Sequence, residues 1–253
     1  MMPQESTRHI YEEFLTKVDS SVKVNAVEVN SFNDYYNKFF ITDHHWNHHG
    51  SEEAYLGIVK MLRENYPDIV PLEVEDVYEF KDVQFFGSLS RAHSNKAVWD
   101  TFGVYYRSLP SHTLVRDEAI AYGSKKTQSA NLRIYRSGEH NKASGYNHYT
   151  EFYRVAKEIK YKDNNTGRNL LLIGDSYSLP LLEVVAAHFD NTYVRYEDRS
   201  WNNFPEELIY EDFIKENNIT DVIVIEEMAK SIMQGYGTAY PSGFLNIFPD
   251  ENW

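Results

Sequence analysis

Residues 174–177 read Gly-Asp-Ser-Tyr, directly after the apolar run Asn169-Leu170-Leu171-Leu172-Ile173. A short apolar run bounded by polar turn residues has the pattern of a buried strand in an α/β sheet. Leu179 to Phe189 then has helical length and an apolar face through Leu182, Val185, Ala186 and Phe189. Ser176 therefore falls where a strand turns into a helix, beside the unsatisfied N–H groups of the helix start. Such N–H groups can stabilise an oxyanion, so a hydroxyl placed there can act as a nucleophile on a carbonyl. The plainer role for Asp175 and Ser176 is capping the helix, for which both residue types are favoured.

A serine hydroxyl needs a base, usually a histidine oriented by a carboxylate. The chain has ten histidines and none beyond His188, so the loop after a predicted last strand ending at Ile225 supplies none. Upstream, Thr42-Asp43-His44-His45-Trp46-Asn47-His48-His49-Gly50 precedes a helix expected from Ser51, with Glu52 and Glu53 in its first turn and Tyr55, Ile58, Val59 and Leu62 on one face. In extended chain, residues two apart project to the same side. Asp43 and His45 can then face one pocket, the carboxylate on one ring nitrogen and the other nitrogen left for Ser176, while His44 points away.

The elements that would hold these groups follow from periodicity. Thr7 to Val18 reads as a polar helix and Val22 to Val29 as a strand; Pro67 ends the helix begun at Ser51. From about 71 to 149 the pattern becomes irregular and loop-rich, with strand-like runs at Val77 to Phe80, Ala97 to Tyr106 and Leu132 to Tyr135, punctuated by glycines. Helical spacing returns at Thr150 to Tyr161. After the serine strand and its helix come a strand at Thr192 to Tyr196, a helix from Pro205 to Asn217, a strand at Asp221 to Ile225 and a helix over Glu226 to Gln234. Alternation at this spacing predicts one α/β domain over 1–253, a parallel sheet with helices on both faces, carrying a loop-rich insertion at about 71–149.

Composition narrows the partners. Lys+Arg 25 against Asp+Glu 38 gives a formal charge of −13, which repels nucleic acid and anionic membrane. No run approaches the roughly 20 apolar residues of a membrane helix, and no signal peptide opens the chain, so it is expected to be cytosolic or a trimmed form of an exported protein. With no cysteine, disulfides and thiol catalysis are excluded. Twenty tyrosines and fourteen phenylalanines offer rings that can stack on sugars, though core packing accounts for most of them more simply.

Asp43-His44-His45-Trp46, followed by Gly50 and a helix, resembles the D-x-H-W motif of the DHHW proteins and the related alginate O-acetyltransferase group. Gly174-Asp175-Ser176-Tyr177 is similar to that family's serine motif, and Phe86-Gly87-Ser88-Leu89 to a further block. The resemblance spans roughly residues 32 to 230. It implies a three-layer α/β/α SGNH-hydrolase-like (flavodoxin-like) fold in which Asp and His precede the serine. It further implies Ser176 as nucleophile, His45 as general base and Asp43 as its orienting carboxylate. The implied activity is O-acetyl transfer to, or removal from, a cell-surface polysaccharide, in an extracytoplasmic setting, with an acetyl donor and no cofactor. No Gly-x-Asn-Asp block supplies further oxyanion donors.

Other groups compete for roles. His44, His45, His48 and His49 lie within six residues and invite a metallohydrolase reading, although adjacent histidines rarely converge on one ion and no HExxH spacing exists; no metal is expected. Trp46 can stack on a sugar or pack its loop down. Arg199 sits after the strand that follows the serine helix, at the sheet edge of Ser176, where it can meet substrate, the oxyanion or a neighbouring acid. Asp175 and Tyr149 are further candidates for the oxyanion or substrate, with Asn147 beside the latter. Glu226-Glu227 reads as a solvated helix start. A non-catalytic carbohydrate-binding protein is the rival of another class, but a binding module has no need of Asp43, His45 and Ser176 together.

At a charge of −13, acetylated neutral or amino sugars should outcompete a polyuronate as ligands, and residual polyuronate binding should strengthen as salt screens the repulsion. Polyuronate affinity measured against ionic strength checks this; tight binding at low salt that weakens as salt is added contradicts it.

Overall fold

The computed structural model describes residues 4–92, 98–116, 119–122, 142–143, 158–161, 163–196 and 209–227. Helices α1 (Gln4–Lys17), α2 (Phe32–Lys38) and α3 (His48–Asn65) come first. Strand β1 (Asp76–Phe85), the short helix α4 (Ser88–Ala92) and strands β2 (Asp100–Tyr106), β3 (His112–Arg116), β4 (Ala119–Tyr122), β5 (Lys142–Ala143) and β6 (Glu158–Tyr161) follow. The last stretch holds β7 (Asn169–Gly174), a 3₁₀ turn (Leu179–Leu181), α5 (Leu182–Ala186), β8 (Asn191–Tyr196), α6 (Tyr210–Glu216) and β9 (Asp221–Ile225).

Two sheets result. The larger has the order β4-β3-β6-β8-β7-β9, and the smaller β2-β1-β5. β7 pairs parallel with both β8 and β9, as the alternation of strand and helix requires. β6 pairs antiparallel with β8, β3 with β6, and β4 with β3. The large sheet is therefore mixed, not parallel throughout. An apolar run reports that a strand is buried, whereas its direction is set by the connection, and only the crossovers through α5 and α6 return the chain in the same sense. Within the segment 71–149, β3 and β4 extend the large sheet.

β7 sits at the centre of this packing. Leu170 and Leu172 point into a cluster with Ala54, Tyr55, Ile58, Val59 and Leu62 of α3 and with Val184 and Val185 of α5. Leu171 and Ile173 point the other way, onto Tyr210, Phe213 and Ile214 of α6. Each of the four is at most 1% exposed, and each burial contributes roughly 1.5–3 kcal/mol. The smaller sheet has its own core, where Phe40 packs edge-on against Phe85 and Phe102 with centroids 5.0 and 6.2 Å apart.

Several local expectations give way to longer-range forces. Val22 to Val29 alternates but forms no strand; Val22, Val24 and Val29 stay exposed with no strand partner among the described residues. Glu158–Tyr161, expected to end a helix, is strand β6, with Ile159 and Tyr161 in the core. α3 begins at His48, earlier than Ser51, because the Asn47 side chain caps it by accepting from the N–H groups of His49 and Gly50 at 2.9 and 3.3 Å. The serine-side helix is split into the 3₁₀ turn and α5. Leu132 to Tyr135 and the residues beyond Glu227 lie outside the described residues.

Gly174 closes β7 where the backbone runs tight. A Cβ there would lie 2.6 Å from Ser178 Cβ and 2.7 Å from the Ile225 carbonyl oxygen. Gly174→Ala should destabilise the protein by about 1–3 kcal/mol through overpacking, read as a lower urea midpoint. An unchanged midpoint would show that the turn can relax.

Candidate active site

The site assembles at the carboxyl end of β7, where neighbouring strands β8 and β9 lie on opposite sides. The chain leaves β7 for one neighbour and later crosses to the other, the kind of switch point at which open α/β sheets bind ligands. Asp175 fixes the turn there. Its N–H donates to the Ile225 carbonyl at 3.2 Å, and its carboxylate accepts from the N–H groups of Tyr177 at 2.9 Å and Glu227 at 3.0 Å. Asp175 thus ties β7 to the end of β9. Both of its carboxylate oxygens accept from backbone N–H groups.

The histidine comes from the loop between α2 and α3. Phe39 bridges Trp46 across the loop, Phe40 N–H donates to the His45 carbonyl at 3.1 Å, and Asn47 N–H donates to the Lys38 carbonyl at 2.8 Å. Gly50 lets α3 start against this loop, because a Cβ there would lie 2.3 Å from the Lys38 carbonyl oxygen. Within the loop, His45 Nδ1 is 2.5 Å from Asp43 Oδ1, and His45 Nε2 is 2.6 Å from Ser176 Oγ. Residues 131 apart in sequence thereby form one chain of hydrogen bonds. Asp43 and His45 are buried at 1% and 5% exposure, while Ser176 is half-buried.

Electrostatics assign the protons. Burial pushes the Asp43 carboxyl up, but the His45 hydrogen bond and charge, the Ser88 N–H at 2.7 Å and nearby His44 together outweigh it and hold the group at about 2. Asp43 is therefore an anion and accepts only, so Nδ1 of His45 carries the proton. Burial lowers the His45 pKa below the ordinary imidazole value, against the opposing pull of Asp43. The neutral ring then presents an Nε2 lone pair to the Ser176 hydroxyl.

The residues around this chain were not legible from spacing. Asp100, at the start of β2, accepts from Ile41 N–H at 2.9 Å, Thr42 N–H at 2.7 Å and the Thr42 hydroxyl at 2.5 Å. Thr42 Oγ1 accepts in turn from Gly87 N–H at 3.0 Å. A Cβ on Gly87 would lie 2.3 Å from the Thr42 carbonyl oxygen and 2.4 Å from Asp43 Cβ, so glycine alone lets Ser88 reach Asp43. The Phe86-Gly87-Ser88-Leu89 block was the available signal for this contact; Asp100 had none. Tyr177 adds a direct tie between the two halves, its buried hydroxyl donating to the His44 carbonyl.

The other candidates are placed as follows. The His44 ring is exposed, 3.0 Å from Ser88 Oγ. Trp46 is 7% exposed and meets Tyr177 edge-on at 5.1 Å, so it packs the loop down and offers no face to a sugar. His48 and His49 lie in the first turn of α3, beside Tyr105 of β2. Arg199, Tyr149 and Asn147 lie outside the described residues. The helix-start N–H groups expected to hold an oxyanion are engaged internally, Tyr177 by the Asp175 carboxylate and Ser178 by the Asp175 carbonyl. Asp43, His44 and His45 bring three metal-type donors close together, but both His45 nitrogens already serve Asp43 and Ser176.

A carboxyl at about 2 in the folded chain and near its ordinary 3.8 when unfolded stabilises the fold fully above the unfolded value and loses that contribution as pH falls through the folded one. The difference amounts to about 2 kcal/mol. Urea unfolding between pH 4 and pH 2 should therefore show a steeper loss of stability in the wild type than in Asp43→Asn. Parallel curves would refute the assignment of Asp43 as a buried anion.

No sequence-family profile matches the chain, and no curated protein sequence matches it either. The fold has relatives. PatB1 of Bacillus cereus, in a structure with a sulfonyl adduct, superimposes with a TM-score of 0.64 at 15% identity, over 89% of this chain and 73% of that one. A second PatB1 structure gives 0.62 at 16% identity, over 89% and 75%. A DHHW family protein from Eubacterium siraeum aligns over 78% of this chain and 64% of its own at 21% identity, with a TM-score of 0.49. At these identities the likeness to PatB1 is one of fold, and the chain has a mixed α/β architecture similar to that protein's.

Proposed function

We propose that this protein is a serine-dependent O-acyl transfer catalyst that moves acetyl groups onto or off a glycan. The observation that carries the reading is the continuous Asp43–His45–Ser176 chain of hydrogen bonds, with the carboxylate ionised and the imidazole neutral. In the first half-reaction Ser176 Oγ attacks the acetyl carbonyl of a donor ester while His45 Nε2 takes the hydroxyl proton. Asp43 holds the ring and stabilises the imidazolium that forms. The tetrahedral intermediate collapses, His45 returns the proton to the departing alcohol, and acetyl-Ser176 remains. In the second half, a sugar hydroxyl (transferase) or water (esterase) attacks the acetyl carbonyl as His45 accepts its proton; the bond to Ser176 Oγ then breaks and His45 returns the proton to that oxygen. With the next N–H groups engaged in the turn, the Ser176 N–H is the local donor for the oxyanion. The acetyl group and the glycan rest on the resemblance of the Asp-x-His-Trp, Gly-Asp-Ser and Phe-Gly-Ser blocks to the DHHW group.

Aryl acetate turnover and a sulfonyl fluoride test the reading, since sulfonyl halides react with activated hydroxyls and a sulfonyl adduct is present in a PatB1 structure. Mass spectrometry should find the adduct on the peptide containing Ser176. Ser176→Ala should abolish turnover with the fold intact, and His45→Ala should lower it at least about a thousandfold. His44→Ala should cost far less. An adduct elsewhere, an active Ser176→Ala, or equal losses at His44 and His45 would overturn the assignment.

The pH profile supplies a second check. The base works deprotonated, and its pKa lies below the ordinary 6.5. The plateau of kcat/KM should extend below pH 6.5 before falling on the acid side. A fall beginning above pH 7 would mean that a different group accepts the proton.

A further inference from the structure

We propose that His48, His49 and Glu79 form a binding site for a divalent transition-metal ion, zinc(II) by ligand type, between the first turn of α3 and the small sheet. The site is independent of the acyl-transfer reading. His48 is 7% exposed, and neither of its ring nitrogens has a hydrogen-bond partner among the described residues. A buried polar atom left in this state costs about 1–3 kcal/mol, so the ring needs a reason to be there. Its position is built into the strand beneath. A Cβ on Gly103 would lie 2.2–2.4 Å from three atoms of the imidazole, so β2 carries glycine where the ring rests.

The same register brings the acid. Glu79 of β1 is the direct partner of Gly103 across the antiparallel pair, so it stands on the face of the sheet that the His48 ring occupies. Adjacent histidines seldom point together, yet here the His48 and His49 rings lie 3.9 Å apart at 37°. One ligand atom from each of His48, His49 and Glu79 falls within 4.8 Å of the others. Bonds of about 2.0–2.1 Å in a tetrahedral zinc site place ligand atoms roughly 3.3 Å apart. Closing the gap takes about an ångström of movement, available to His49 and Glu79 because both are exposed. Tyr105 hydroxyl lies 2.8 Å from His49 Nδ1, the kind of outer contact that orients a ligating imidazole. The charge of −13 favours any cation's approach.

The full chain, freed of metal with a chelator, should be titrated with zinc chloride by calorimetry and with cobalt(II) by visible absorption. The expected result is one ion per chain, a cobalt spectrum of low coordination number and a higher melting temperature with zinc. His49→Ala and Glu79→Gln should each weaken binding at least roughly tenfold, and Glu79→Gln should leave aryl acetate turnover unchanged. No binding, or unchanged affinity in either variant, overturns the proposal. So does zinc that inhibits turnover stoichiometrically and is lost in His44→Ala, which would place the ion on Asp43, His44 and His45. Because the titration reads the ion and not the ester, its failure leaves the Ser176 assignment standing.

Discussion

A carboxylate withdrawn from water costs several kcal/mol unless hydrogen bonds replace its hydration, and at Asp43 that replacement organises the whole site. Its Oδ2 takes the Ser88 N–H, and its Oδ1 takes the His45 ring and, at 3.2 Å, the His45 N–H. Each donor arrives only if a separate piece of backbone is in place. The loop before α3 must bend back so that Phe39 meets Trp46, and the turn after β1 must come close enough for Gly87 to touch Thr42. Removing either would leave a buried anion uncompensated, so the requirement to satisfy Asp43 holds loop and turn together.

The small sheet is what makes that closeness permanent. Phe40 anchors the loop in the Phe85–Phe102 core, and Asp100 receives three hydrogen bonds from Ile41 and Thr42 just before Asp43. Asp100 begins β2, which pairs with β1, whose last residue precedes the Phe86-Gly87 turn. A hydrophobic cluster and one surface-side carboxylate thus set the position of a buried one. This gives the segment after residue 71, irregular to the eye, a positioning role.

How far the sequence discloses this depends on the range of the forces. β7 is legible because an apolar run needs burial on both faces, and Asp43 with His45 because extended chain puts alternate residues on one side. Strand direction is not legible at β3 and β6, since nothing in Ile159 or Leu114 records which neighbour it will pair with. α2 buries no residue, and its start is marked locally, by the Ser31 hydroxyl accepting from Asp34 N–H at the cap. Asp100 is invisible for the opposite reason. Its partners lie 58 and 59 residues away, and a lone aspartate at a strand start carries no period or motif.

The Gly-Asp-Ser-Tyr turn shows how four adjacent residues divide one task. Gly174 removes a Cβ where Ile225 and Ser178 crowd the backbone. Asp175 turns its carboxylate inward to the N–H groups of Tyr177 and Glu227, joining the ends of β7 and β9. Tyr177 reaches across to the His44 carbonyl, and its ring lies against both His45 and Trp46. The serine is therefore held from the sheet on one side and from the histidine loop on the other. A rotation of either support by a few degrees would lengthen the 2.6 Å contact to His45, and the cost of such misplacement rises steeply for a proton that must move within that contact. Gly174, Asp175 and Tyr177 fix the backbone, leaving the Ser176 side chain in contact with the base.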